Sequence, residues 1–143
     1  MDTHITDLMK SRVVTVEMDD SLSLAQSLME NASIHHLPVI DSQRRVVGML
    51  SDRNLLRAIS PFMNTAAETN RDLTIMRKPV HQIMSHHPIT VSADCLLGAT
   101  AQSMLDNNIS ALPVTEDDDR LIGIITWKDF IRHYITQNLT AQA

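Results

Sequence analysis

The sequence predicts an α/β (α+β) fold of two tandem β-α-β-β-α repeats packed with pseudo-twofold symmetry. Three observations carry this. Ile34-His35-His36-Leu37-Pro38-Val39 returns as Ile109-Ser110-Ala111-Leu112-Pro113-Val114, and Arg45-Val46-Val47-Gly48-Met49-Leu50-Ser51 returns as Arg120-Leu121-Ile122-Gly123-Ile124-Ile125-Thr126. Pro38 and Pro113 stand 75 positions apart, as do Gly48 and Gly123. The same spacing holds without a gap at Met9/Met84, Thr15/Thr90, Leu22/Leu97, Met29/Met104 and Arg57/Arg132. Self-similarity at one fixed spacing marks a repeated supersecondary unit. Two such units leave clefts between the copies in which a ligand could sit.

Each copy opens with a β-branched run, Val13-Val14-Thr15-Val16 and Ile89-Thr90-Val91, which reads as a short strand. Oxygens for a helix N-cap follow at Asp19, Asp20 and Ser21, and at Asp94. Leu22, Ala25, Leu28 and Met29 recur at helical spacing, as do Leu97, Ala101, Met104 and Leu105, so each helix has one buried stripe. Asn31 and Asn107-Asn108 close these helices, because Asn tolerates left-handed backbone. Leu37-Pro38-Val39-Ile40 and Leu112-Pro113-Val114-Thr115 are second strands. Polar turns at 41–44 and 116–119 lead into third strands at 45–50 and 121–125, giving a hairpin in each copy. A last helix spans 52–59 in the first copy and 127–135 in the second.

The repeats thus cover 5–60 and 80–136. A connector fills 61–79, with Pro61 stopping the preceding helix, and 137–143 is a polar, frayed tail. Leu22, Met29, Val39, Leu97, Met104 and Val114 are expected in the interior. A unit of roughly 55 residues buries too little apolar surface to be secure alone, so the copies are expected to share one core.

Composition narrows the function classes. The chain has 143 residues, 43% of them apolar, which is typical of a globular domain. No apolar run is long enough to cross a bilayer, and Met1-Asp2-Thr3-His4 does not resemble a signal peptide. A net charge of −5 without a basic stripe argues against nucleic acid. The single cysteine, Cys95, forms no internal disulfide, and a reducing cytoplasm fits. Its neighbour Asp94 disfavours an activated thiolate. With three glycines the chain has no phosphate-cradling loop, and no nucleophile arrangement is present, so no catalytic residue is assigned. His35-His36 and His86-His87 lack carboxylate or cysteine partners at metal-site spacing, so no metal is assigned.

Two constellations remain. Thr126 and Asp129 read as an N-cap with a capping-box acid, or as a hydroxyl and carboxylate offered to a ligand diol. Ser51 and Asn54 repeat the pattern with an uncharged amide, and Arg53 and Lys128 precede the last position of each pair. The hydrophobic-Pro-Val strand, the hairpin and then Gly-x-hydrophobic-Ser/Thr-x-x-Asp opening a helix resemble the CBS domain, named after cystathionine β-synthase. The resemblance covers both copies and is similar to stand-alone bacterial pairs of the acetoin-utilisation type.

That resemblance implies a regulatory, non-catalytic module that binds AMP, ADP, ATP or S-adenosylmethionine between its two repeats. It further implies a homodimer that signals to an effector protein by conformational shift. On the same footing Asp129 accepts ribose hydroxyls and Thr126 holds ribose or phosphate, with Ser51 and Asn54 in the first site. Arg53 and Lys128 face phosphate. His36, Pro38, Ala111 and Pro113 line adenine and ribose, and Val13, Val14, Pro88 and Ile89 supply the other wall. Asn54 departs from the family's Asp, which favours the alternative of a ligand-free dimerisation or docking scaffold.

Overall fold

The computed structural model describes residues 3–59 and 62–142; Pro61, expected to stop a helix, lies outside them. The chain forms two compact units, Val14–Pro88 and Met1–Val13 with Ile89–Ala143.

In the unit Val14–Pro88, strand β1 (Val16–Glu17) leads to helix α1 (Leu22–Ala32), then β2 (His36–Ile40) and β3 (Val46–Ser51). Helices α2 (Asp52–Ala58) and α3 (Asn70–Met76) and strand β4 (Ser85–His86) complete it. The sheet order is β1-β2-β3-β4, with β1 parallel to β2 and the other pairs antiparallel. The second unit repeats the plan with β5 (Val91–Ser92), α4 (Leu97–Asp106), β6 (Ala111–Glu116), β7 (Arg120–Thr126) and α5 (Trp127–Gln142). Its order is β5-β6-β7, again parallel then antiparallel. Both hairpins carry a register shift at the same repeat position, after Val39 and after Val114. The tandem β-α-β-β-α reading therefore holds element by element.

Each unit has its own core. Val16, Leu22, Ala25, Met29, Leu37, Val39, Leu50, Leu55, Val80 and Met84 form one cluster. Ile5, Val91, Met104, Leu112, Val114 and Ile125 form the other. Each cluster also recruits apolar residues from outside its own sequence repeat. Ile5 and Met9, which lead the first repeat, pack with the second repeat's core. Val80 and Met84, which lead the second repeat, pack with the first repeat's core. The docking is equivalent in detail. Lys10 bridges Ile124, and Ser85, 75 positions on from Lys10, pairs with Met49, 75 positions before Ile124.

Glycine makes room for these leaders. A Cβ at Gly48 would overlap Met84 Sδ, and one at Gly123 would overlap Met9 Sδ and stand 2.9 Å from the Lys10 carbonyl oxygen. Both glycines lie opposite buried valines, Val39 and Val114, in the hairpins.

Several local expectations change. The opening strands are shorter and later than 13–16 and 89–91, because only Val16 and Glu17, and Val91 and Ser92, find a partner strand. β-Branched composition alone does not make a strand. Ser21 caps α1, its Oγ accepting from Leu24 N at 3.1 Å. Asp94 caps nothing; its carboxylate accepts from Ser92 Oγ, and α4 starts without a side-chain cap. The left-handed residue closing α1 is Ser33, not Asn31, whereas Asn108 does close the second helix region at φ 53°. Leu97 is only partly buried, and Thr100 takes the interior place instead, its hydroxyl donating to Leu96 O at 2.9 Å. The connector contains α3, fixed by a Thr69/Asp72 capping box. The frayed tail proves helical as far as Gln142, since nothing after Ile135 breaks a helix. Among the described residues no helix is long and apolar enough to cross a membrane.

The glycine contacts give a test. Gly123→Ala should destabilise by about 1–3 kcal/mol, the range for overpacking, and more than Gly48→Ala, because backbone of residue 10 must shift as well as a methionine. Met84→Ala should recover part of the Gly48→Ala loss in a double-mutant cycle measured by urea melts. Additive losses would mean that the two side chains do not share that space.

Candidate functional site

In each unit several of the sequence-predicted residues meet at one end of the hairpin. His36 pairs with Ser51 across β2 and β3, and Ala111 pairs with Thr126 across β6 and β7. Helices α2 and α5 start directly after Ser51 and Thr126, which brings Asn54 and Asp129 back onto the strand ends. A backbone hydrogen bond repeats there too, Asp52 N to His35 O at 2.9 Å and Trp127 N to Ser110 O at 3.2 Å. Val16 is parallel-paired with Val39, so the residues before it, Val14 included, run toward the His36 end of the sheet. Ile89 stands likewise before Val91 on the Ala111 side.

β4 runs antiparallel to β3, with Ser85 opposite Met49 and His86 opposite Gly48. His87 and Pro88 therefore continue away from Ser51. His86 ends this short strand, and His87 is left-handed at φ 50°. Val13 and Ile89 belong to one unit, and Val14 and Pro88 to the other. Pro38, Ala111 and Pro113 are buried, His36 is half-buried, and Arg53 and Lys128 are exposed.

The polar centre differs between units. Asn54 Oδ1 accepts from Ser51 N at 2.8 Å and from Ser51 Oγ at 2.9 Å, while Asn54 N donates back to Ser51 Oγ at 3.1 Å. This is a complete capping box. Asp129 Oδ2 accepts from Thr126 N at 2.8 Å and from Thr126 Oγ1 at 3.3 Å. Its other oxygen, Oδ1, accepts from Arg132 Nη1 at 2.9 Å. Asp129 is buried with 4% of its surface exposed, so these three donors carry a charge withdrawn from water. Both readings of the constellation concern the same atoms: a helix cap in place, and a hydroxyl-acceptor pair at the edge of an apolar hairpin. Arg132 is the participant that sequence reasoning missed; its spacing of three residues after Asp129 on a helix was the available signal.

Around Ser51 the first unit adds charge. His35 Nδ1 lies 3.1 Å from Asp52 Oδ2, an exposed pair of little energetic weight. Burial holds the His36 imidazole below its ordinary value of 6.5, reinforced by His35 and Arg53 and opposed by Asp52. His36 thus takes up its proton less readily in the folded chain than in the unfolded one. The stability this brings is full above about pH 6.5 and is lost as pH falls through the lower folded value. The melting temperature should decline below that pH, and His36→Gln should flatten the decline. An unchanged slope in the variant would assign the pH dependence to other groups.

The CBS domain family profile matches residues 5–61 and 80–136. The chain is 31% identical over 132 residues to a CBS domain-containing protein of Dictyostelium discoideum, covering 92% of this chain and 90% of that one. Several other relatives are matched only in part. The chain spans 21% of the inosine-5′-monophosphate dehydrogenase of Methanocaldococcus jannaschii, at 32% identity over 84% of its own length. Among solved structures, the CBS domain pair of protein MJ0100 in complex with 5′-methylthioadenosine and S-adenosyl-L-methionine superposes with a TM-score of 0.79 at 25% identity, covering 96% of this chain and 99% of that one. CBSX2 in complex with AMP gives a TM-score of 0.79 at 26% identity, covering 93% and 97%.

Proposed function

We propose that this chain, which belongs to the CBS domain family, is a regulatory module that binds adenine nucleotides and signals to an effector protein by conformational shift. The observation that carries this reading is the Ala111–Thr126 strand end with the Asp129 carboxylate against it. A carboxylate accepts two neighbouring hydroxyl donors, as a ribose diol requires. The apolar strand residues Ala111, opposite Thr126, and Pro113, two positions on, suit a purine edge. The related structures that hold AMP, S-adenosyl-L-methionine and 5′-methylthioadenosine support an adenosine-containing ligand. This reading assigns the chain a regulatory, not a catalytic, part, and the single Cys95 fits the cytoplasm.

The mechanism is population shift: ligand favours one conformation by its differential affinity, and a partner reads that conformation. A second reading, a ligand-free dimerisation or docking scaffold, rests on Asn54, whose carbonyl oxygen is already shared by two Ser51 donors. A thermal-shift series with AMP, ADP, ATP and S-adenosylmethionine separates the two, because a ligand of the folded state raises the melting temperature. No shift with any of them would favour the scaffold.

Calorimetry should find the Thr126/Asp129 site tighter than the Ser51/Asn54 site by on the order of 1 kcal/mol, the gain of charged over neutral hydrogen bonds. Asp129→Ala should remove the tighter event and Asn54→Ala the weaker. The reverse assignment would overturn this order. Homodimerisation is expected through the last helices of the two repeats, expected to end at Ile59 and Ile135, or through those around Leu28 and Leu105; Leu105 and Ile135 are 59% and 49% exposed. Sedimentation at micromolar concentration should give a dimer, and a clean monomer would refute it.

A further inference from the structure

Asp129 is the group on which ribose recognition rests in the reading above, yet its acceptor sites are largely taken. A carboxylate has about four lone-pair sites. Oδ2 accepts from Thr126 N at 2.8 Å and from Thr126 Oγ1 at 3.3 Å, and Oδ1 accepts from Arg132 Nη1 at 2.9 Å. The side chain of Asp129 is 3% exposed. One remaining lone pair cannot take both hydroxyls of a ribose.

Something must be displaced, and the three donors differ in how easily they leave. The Thr126 N–H is backbone at a strand end and stays. The Thr126 hydroxyl makes the longest of the three bonds but is tied to the same short turn. The Arg132 side chain is 59% exposed, so water can solvate the guanidinium when it lets go.

We infer that Arg132 is an intramolecular competitor of the ribose: its guanidinium holds Asp129 Oδ1 in the free protein and is displaced when a ribose diol binds. The inference rests on the site reading given above. The arrangement is confined to the second repeat. Arg57 stands at the equivalent position of the first, and among the described residues it makes no ion pair. The neutral amide of Asn54 gives it no charge to hold. The substitution that turns Asp into Asn thus removes both the stronger acceptor and its competitor, which narrows the affinity gap between the sites.

The probe should be adenosine, which carries the diol without phosphate, so that any phosphate contact of Arg132 does not enter. Titration calorimetry on wild type, Arg132→Ala, Arg132→Lys and Asp129→Ala gives the comparison, with 2′-deoxyadenosine alongside. Arg132→Ala should bind adenosine about fivefold more tightly, the factor that matches loss of an ion pair of intermediate exposure. The gain should be smaller for 2′-deoxyadenosine, which offers one hydroxyl instead of two. The same variant should melt at a lower temperature without ligand, opposite in sign to its affinity. Arg132→Lys, which keeps charge but loses the fork, should gain less and serves if the alanine variant does not fold. If Asp129→Ala abolishes binding while Arg132→Ala leaves it unchanged or weaker, the site stands and the competitor role is wrong. Equal gains for both nucleosides would also refute it. If Asp129→Ala binds adenosine as wild type does, or if neither wild type nor Arg132→Ala binds at all, the site reading fails and the competitor role with it.

Discussion

The packing of a methionine onto a glycine at the centre of each hairpin is the contact on which the rest depends. Met84 occupies the space over Gly48, and Met9 the space over Gly123. Each methionine comes from the leader of the other sequence repeat. A hairpin with a short parallel strand and one helix is a small unit, and small units are short of buried apolar surface. The borrowed leader contributes Val80 to one core and Ile5 to the other, both fully buried. It also supplies backbone partners: Val80 N donates to Asp20 O at 2.8 Å, and Ile5 N to Cys95 O at 3.3 Å. A pair of repeats that exchange leaders is completed only when both are present, although the resulting units are each compact.

From that frame the site follows by register. With Pro38 opposite Met49 and Pro113 opposite Ile124, the strand ends must bring His36 to Ser51 and Ala111 to Thr126. The helix that starts next then returns its third residue to the strand end. A helix N-terminus needs an acceptor for its free N–H groups, and the ligand needs an acceptor for its hydroxyls. In the proposed site Asp129 would meet both needs, keeping the Thr126 N–H on one oxygen while the other exchanges Arg132 for the ligand. The cost is that the free protein fills the acceptor itself, through Ser51 in one unit and through Thr126 with Arg132 in the other. Under the proposed function, affinity would then depend on how readily those internal partners are released.

Much of this was legible in the sequence. The repeat spacing located the hairpins, the Ser51/Asn54 and Thr126/Asp129 pairs and most of the interior, because period-2 and helical patterns report burial directly. The exchange of leaders was not legible. Met9 and Met84 keep the same spacing whether each packs in its own repeat or in the other. The strand at Ser85–His86 is two residues long and exists only through its pairing with β3. Helix α3 was hidden in a connector of mixed character, although Thr69 and Asp72 carry the spacing of a capping box. The length of α5 escaped because a polar surface resembles a tail, while Tyr134, Ile135 and Leu139 continue at helical spacing.

The measurement closest to the central claim is an amide-resolved NMR titration of the chain with AMP. Saturable shifts should concentrate at residues 109–113 and 125–129, with weaker ones at 34–38 and 50–54. Their absence at saturating AMP, or their concentration elsewhere in the chain, would contradict the assignment of an adenosine ligand to these hairpin ends.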